Sequence, residues 1–378
     1  MLFVAPSLYA EHTMPTVFLT GFPGFLGSAM IPHLLERYPE DTTITCLVQS
    51  KFRNMAERRA RTIKGEREGW ENRIQISEGD ITIADLGLGD QYAPLQAETV
   101  EVFHFAAVYD LGVTHELGMK VNVEGTKNML AFAEGCPDLH RFQYVSTCYV
   151  SGSHDGIFTE DDLVLGQSFN NYYEGTKYLA EVHVQNAMVE GLPTTIYRPS
   201  IVVGDSQTGA TQKYDGPYYI IQLLMRQPRV LALLTVLPGS ASVEFNIVPS
   251  DYVINAMAHL SRLQESEGKV YQLCDPNVGS LDELLKSITE ATGRLTVRLP
   301  LTKGLAKFAI KHVPGVNWLM KVEAEGIDYF AHPTRYRCPQ TLADLEGSGI
   351  SCPQVSEYVN VLVDFWREHT EFTADAMV

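Results

Sequence analysis

Seven residues near the start of the chain restrict its fold more than any other stretch. Gly21-Phe22-Pro23-Gly24-Phe25-Leu26-Gly27 follows the β-rich run TVFLT (16–20) and leads into GSAMIPHLLERY (27–38), whose apolar residues recur at helical spacing. A strand that turns into a helix through G-x-x-G-x-x-G has a definite physical logic. The first glycine permits the tight turn, the second lets backbone approach a pyrophosphate, and the third lets the helix pack on the strand. The helix N-terminus then faces the anion. Such a turn carries weight only where it opens an α/β alternation, and this one does.

Five further β-rich runs come after it: TITCLVQ (43–49), IQISEGD (74–80), VEVFHFAA (100–107), RFQYVST (141–147) and PTTIYRP (193–199). Amphipathic stretches such as GTKNMLAFAEGC (125–136) separate them. The pattern predicts an α/β fold, a doubly wound parallel sheet of Rossmann type spanning 15–204 and binding the nucleotide. After Gly204 the chain becomes rich in aromatics and leucine, which predicts a smaller C-terminal substrate-binding portion over 205–378. The two parts interleave, because 245–260 reads as a strand entering a helix and 269–276 as another strand, so 241–276 contributes to the first part. Residues 1–14 read as a flexible leader, with Met14 an alternative start and no basic segment of the kind a signal peptide carries.

Charge and composition exclude several classes. The net charge of −17 opposes general affinity for nucleic acid, and no run of about 18 apolar residues predicts a transmembrane helix. Cys46, Cys136, Cys148, Cys274, Cys338 and Cys352 lack paired spacing, which suits reduced thiols in the cytoplasm. The histidines show no metal-ligand spacing, so no metal is expected.

The end of the second strand selects the dinucleotide. An acidic side chain there would bond a ribose 2′-hydroxyl and repel a 2′-phosphate. Gln49-Ser50-Lys51-Phe52-Arg53 offers a hydroxyl and two cations instead, which favours NADP(H) over NAD(H). Gly79-Asp80-Ile81 closes the third strand, where Asp80 would accept from the adenine amino group or cap a helix beginning after it. Tyr173 and Lys177 stand four apart on one helical face, an arrangement in which an ammonium lowers the phenol's pKa and readies it for proton exchange. Tyr172 is the weaker acid candidate, since its partner at that spacing is Thr176. Thr147, ending the fifth strand, adds a hydroxyl to polarise the same carbonyl.

Taken in order, TGFPGFLG, GDI, HFAAV, NVEGT, VSTCYV, YEGTK, YRPSIVVG and VPSDYV resemble the extended short-chain dehydrogenase/reductases from about Val17 to Tyr252. The resemblance implies phosphate-binding Gly21, Gly24 and Gly27, adenine-side Asp80, and cofactor-facing Ala106, Ala107 and Asn122. It also implies catalytic Thr147, Tyr173 and Lys177, with the Arg198-Pro199 turn beside the nicotinamide. VFLTGFPGFLG, VNVEGTKNML, VSTCYV and YYEGTKYLAE are most similar to the thioester-reductase and fatty acyl-CoA reductase branch, which reduces acyl thioesters with NADPH. That branch commonly carries arginine where this chain has Gln49.

The resulting expectation is hydride transfer to an acyl thioester or a lipophilic aldehyde or ketone, with Tyr173 as general acid. An acyl group would arrive on CoA or on a separate acyl carrier. Alternatives are a hydroxysteroid or alcohol dehydrogenase, a nucleotide-sugar epimerase or dehydratase using the same triad, and a non-catalytic NADP(H) sensor. A homodimer through the Tyr173–Lys177 helix accords with the resemblance. Finally, the segment 214–239 is apolar enough to roof a lipophilic pocket through Tyr218, Tyr219, Ile220, Leu223, Leu224, Leu231, Leu233 and Leu234, or to pack as core.

Overall fold

The computed structural model describes residues 15–65, 67–109, 112–230, 232–236, 240–300 and 332–370, and the expected leader lies outside them. The chain begins with β1 (Thr16–Thr20), α1 (Phe25–Arg37), β2 (Thr43–Val48), α2 (Arg53–Lys64), β3 (Ile74–Glu78) and α3 (Tyr92–Glu98). Next come β4 (Thr99–His104), α4 (His115–Gly118), a π-helical turn over Met119–Glu124, α5 (Gly125–Glu134) and β5 (Arg141–Val145). A 3-10 turn over Cys148–Ser151 leads to β6 (Gly156–Phe158), α6 (Tyr172–Val189), β7 (Thr194–Pro199) and β8 (Ile201–Val203). Beyond lie α7 (Tyr218–Met225), β9 (Ala232–Val236), β10 (Ile247–Pro249), α8 (Ser250–Leu260), β11 (Val270–Leu273) and α9 (Leu281–Thr292). The described chain ends with β12 (Thr296–Pro300), β13 (Thr334–Tyr336), α10 (Pro339–Leu345) and α11 (Val355–Glu368).

Seven strands make one parallel sheet in the order β11-β7-β5-β4-β1-β2-β3. The chain runs outward from β1 in one direction and, from β4, outward in the other. The carboxyl ends of β1 and β4 therefore flank a topological switch point, the crevice in which such folds bind ligands. β1 and β2 are buried along their whole length, as expected of strands covered on both faces. Val17 and Leu19 pack with α1, α2 and α8 through Met30, Ile31, Leu34, Ala60 and Ile254, whereas Phe18 faces the opposite layer with Phe132, Tyr144, Ala180 and Val184.

Three strands stop two or three residues before their sequence runs end. β3 stops at Glu78, β4 at His104 and β5 at Val145, because the next residues leave the ladder at the crevice and turn toward it. The expected interleaving is observed: β11 pairs with β7 at the sheet edge, and α8 packs on α1. The segment expected to roof a pocket is instead interior. Tyr218, Ile220, Leu223, Leu224 and Leu234 are buried with Tyr214, Leu285, Ile288 and Leu362 in a separate core, while Tyr219 is half-buried, Leu233 is exposed, and Leu231 lies outside the described residues. The amphipathic α9 and α11 supply much of the rest of that core, and α7 buries its leucines among them.

Candidate active site

Gly21 turns the chain at φ +86°, and a Cβ there would stand 2.6 Å from Phe105 Cβ. A Cβ on Gly27 would meet the Gly21 carbonyl oxygen at 2.6 Å, so helix and turn touch only because both residues are glycine. The Gly24 N–H donates to the Gly21 carbonyl at 2.9 Å. Gly24 caps α1 with no side-chain bond and no acidic residue stands in the first turn, leaving the helix end suited to an anion. Phe22 and Pro23 are buried beneath the turn, and Phe25 and Leu26 open α1 half-buried. These residues fit a dinucleotide pyrophosphate.

At the adenosine edge, Ser50, Lys51 and Arg53 are exposed, as a 2′-phosphate site requires. A carboxylate stands among them that strand-by-strand reading missed. Glu78, last in β3, pairs with Arg53 and accepts from Ser50 Oγ at 2.8 Å; Arg53 Nε also meets Glu57 Oε1 at 3.0 Å. The parallel register that sets Val48 against Glu78 puts it there. Asp80 accepts from Gln49 Nε2 at 2.9 Å and from the Thr82 N–H at 2.8 Å, while Ile81 is buried against Gly125.

Asn171 caps α6, accepting from the Glu174 N–H at 3.0 Å, and so presents Tyr173 and Lys177 from the first turns of a helix laid along β5. Tyr173 shares a hydrogen bond with Thr147, and burial pushes its phenol up to about 12 with the Thr147 hydroxyl pulling it back. This corrects the expectation of a lowered phenol: Lys177 Nζ instead donates to Tyr144 Oη at 2.9 Å and to the Val145 carbonyl at 2.8 Å. Burial lowers the Lys177 ammonium to about 7, against the opposing pull of Glu181. Tyr172 is exposed and edges onto His115.

Ala106 donates its N–H to Thr20 Oγ1 at 3.2 Å, and Ala106 and Ala107 are half-buried at the mouth of the crevice. The Asn122 side chain is occupied within the protein: it accepts from the Val108 N–H at 2.8 Å and donates to the Val108 carbonyl and to Thr176 Oγ1, each at 3.0 Å. It thereby ties the loop after β4 to α6. Pro199 stands beside Thr147, its carbonyl accepting from Thr147 Oγ1 at 3.4 Å. The Arg198 side chain goes the other way, into the core. Its Nε and Nη2 donate to Glu181 Oε1 at 2.9 and 2.6 Å, its Nη1 donates to the Thr159 carbonyl at 3.2 Å, and Ser146 bonds the other Glu181 oxygen. This buried pair, unforeseen from the sequence, braces the strand end that carries Thr147.

Among the described residues no group of three or more His, Cys, Asp or Glu side chains is arranged for a metal, and no helix is long and apolar enough to cross a membrane. All six cysteines are unpaired.

Residues 19–257 match the NAD-binding family described as Male sterility protein. A linear gramicidin synthase protein of Brevibacillus parabrevis is 30% identical over 282 residues, 71% of this chain and 5% of that protein. Aldehyde reductase lnaA of Aspergillus flavus is 28% identical over 308 residues, 75% of this chain and 28% of that one. The chain thus spans less than a third of the length of these curated relatives. Among solved structures, the terminal R domain from the myxalamid PKS-NRPS biosynthetic pathway superposes with a TM-score of 0.79 at 27% identity, over 97% of this chain and 94% of that one. With its glycine turn, switch-point crevice and Thr-Tyr-Lys cluster, the chain belongs to the Male sterility protein family, is of the extended short-chain dehydrogenase/reductase type, and is similar to thioester reductases.

Proposed function

We propose that this protein reduces an acyl thioester, delivered on a carrier domain or CoA, or a lipophilic aldehyde or ketone, with NADPH as preferred reductant. The carrying observation is the Tyr173–Thr147 hydrogen bond at the carboxyl end of β5, beside the crevice that the glycine turn opens. A bound reduced nicotinamide supplies the two electrons. Tyr173, protonated throughout the working pH range, donates a proton to the substrate oxygen, and Thr147 shares the developing negative charge. From a thioester, two electrons and two protons give a hemithioacetal that separates into aldehyde and thiol. Lys177 lies beneath and is positioned for the cofactor ribose. The names of the relatives, an aldehyde reductase and a terminal R domain of a PKS-NRPS pathway, support the thioester or aldehyde reading over a sugar-nucleotide one.

The test is to incubate the protein with NADPH and a panel of acyl-CoAs, carrier-loaded acyl groups, aldehydes, ketosteroids and UDP-sugars while following nicotinamide absorbance. Oxidation of NADPH by the thioesters or aldehydes is expected; turnover of UDP-sugars alone overturns the proposal. NADPH should bind at least about tenfold tighter than NADH, which one charge-assisted bond to the 2′-phosphate supplies at about 1.4 kcal/mol. Replacing Lys51 and Arg53 together by alanine should remove most of that preference.

A further inference from the structure

A buried line of hydrogen bonds runs under the site from Lys177 back to the strand that ends in the glycine turn. Lys177 Nζ donates to Tyr144 Oη at 2.9 Å and lies 4.5 Å over the Tyr144 ring. Tyr144 Oη is hydrogen-bonded to Thr126, Thr126 Oγ1 is 3.1 Å from His104 Nε2, and His104 Nδ1 is 2.7 Å from Thr20 Oγ1. Every one of these side chains is buried.

Counting donors gives the line a direction. An ammonium has three N–H groups and no lone pair, so the Tyr144 oxygen must accept from it. The phenolic proton is then left for Thr126, the Thr126 proton for His104 Nε2, and the ring proton on Nδ1 for Thr20. This order needs a neutral imidazole, and burial supplies one by lowering His104 to about 3. Hydrogen bonds that all point the same way polarise one another, which makes the Tyr144 oxygen a better acceptor than an isolated phenol. Two of the three ammonium protons are thus held by Tyr144 and the Val145 carbonyl, leaving one for the crevice.

We propose that Tyr144, backed by Thr126 and His104, is the positioning residue that keeps the Lys177 ammonium charged and directed toward the cofactor crevice. The proposal rests on the reading of Lys177 as part of the catalytic site. Burial opposes the charge, and few other groups offset it. Glu181 favours it from one turn along α6 but is already engaged by Arg198 and Ser146. Tyr173 lies one turn back on the same helix, and Cys148 and Tyr149, on the 3-10 turn packed against α6, are kept protonated by burial. On α4, the π-helical turn and α5, the charged or titratable residues His115, Glu116, Lys120, Glu124, Lys127 and Glu134 are exposed.

The test uses Tyr144→Phe, which keeps the ring but removes the acceptor, and Thr126→Val, which keeps the shape but breaks the line. The Lys177 titration is followed by NMR in 13C-lysine-labelled protein, the signal being assigned by its loss in Lys177→Met, and NADPH affinity is measured by fluorescence from pH 5.5 to 9. In Tyr144→Phe the Lys177 midpoint should fall by about one pH unit, and NADPH affinity should drop about tenfold at pH 8 but less than about twofold at pH 5.5. Thr126→Val should shift the midpoint the same way by a smaller amount, and it carries the test should Tyr144→Phe not fold. An unmoved midpoint in a folded variant overturns the proposal, whatever Lys177→Met does to binding. Undiminished NADPH affinity and turnover in Lys177→Met instead overturn the underlying reading of the site, a separate result.

Discussion

As the proposed general acid, Tyr173 has to hold its proton. With its phenol pushed up to about 12, it stays a donor across the pH range in which the neighbouring lysine changes charge. Tyr173→Phe should therefore lower kcat/KM by about 10²–10⁴ while NADPH affinity stays within about twofold. Tyr172→Phe, at a side chain 54% exposed, should leave both nearly unchanged in the same assays. On the same reading, Lys177 sets the pH dependence. Its folded pKa is depressed to about 7, so the ammonium is present below that pH and lost above it. Cofactor affinity in the wild-type protein should accordingly hold from about pH 5.5 to 6.5 and weaken as pH rises through 7, as a fluorescence titration series would show. Arg198→Met would strand Glu181, fully buried, and should cost about 3–5 kcal/mol of stability in denaturant unfolding, with Glu181→Leu in the same chain restoring much of it. Tyr173, Lys177 and Thr147 were legible in the sequence because helical spacing and a strand end are local signals. Tyr144, His104 and Glu181 were not, since what they do depends on which strands lie side by side.

At the scale of elements, turn chemistry was the clearest signal, and the contacts of the glycines explain it. Gly21→Ala and Gly27→Ala should each abolish measurable NADPH binding, because an added methyl meets backbone or the half-buried Phe105 at 2.6 Å. Gly65→Ala, where the nearest atoms are 3.4 Å away and φ is −75°, serves as a control that should melt within a degree or so of wild type. The strand ends were harder to read: the β-rich runs continued past His104 and Val145, and only the sheet shows where the backbone departs toward the crevice. The same holds for Glu78. Reading β2 alone finds no carboxylate, yet the neighbouring strand brings one to Arg53 and Ser50. On the proposed NADPH reading Glu78 would compete with the 2′-phosphate for Arg53, so Glu78→Gln should raise the NADPH-over-NADH preference severalfold in paired binding titrations, and an unchanged ratio would remove Arg53 from the phosphate site.

Among the described residues, a seven-stranded sheet carries a core on each face, three two-stranded sheets accompany it, and the later part of the chain has a separate apolar core. The sheet was foreseeable from alternation, whereas the later core was not, because apolar residues on α7 read equally as pocket lining until α9 and α11 are seen to cover them. The two parts do not separate along the chain. The stretch 200–269, including the α8 that packs on α1, is made before β11 comes back to pair with β7. This order of assembly matters on the ribosome. At about 5–20 residues per second, the β7 edge waits several seconds after its synthesis for the strand that covers it. During that interval it presents unpaired N–H and C=O groups to any neighbouring chain. Nascent protein of this kind should thus lean on chaperones until residue 273 has emerged, however stable the finished enzyme.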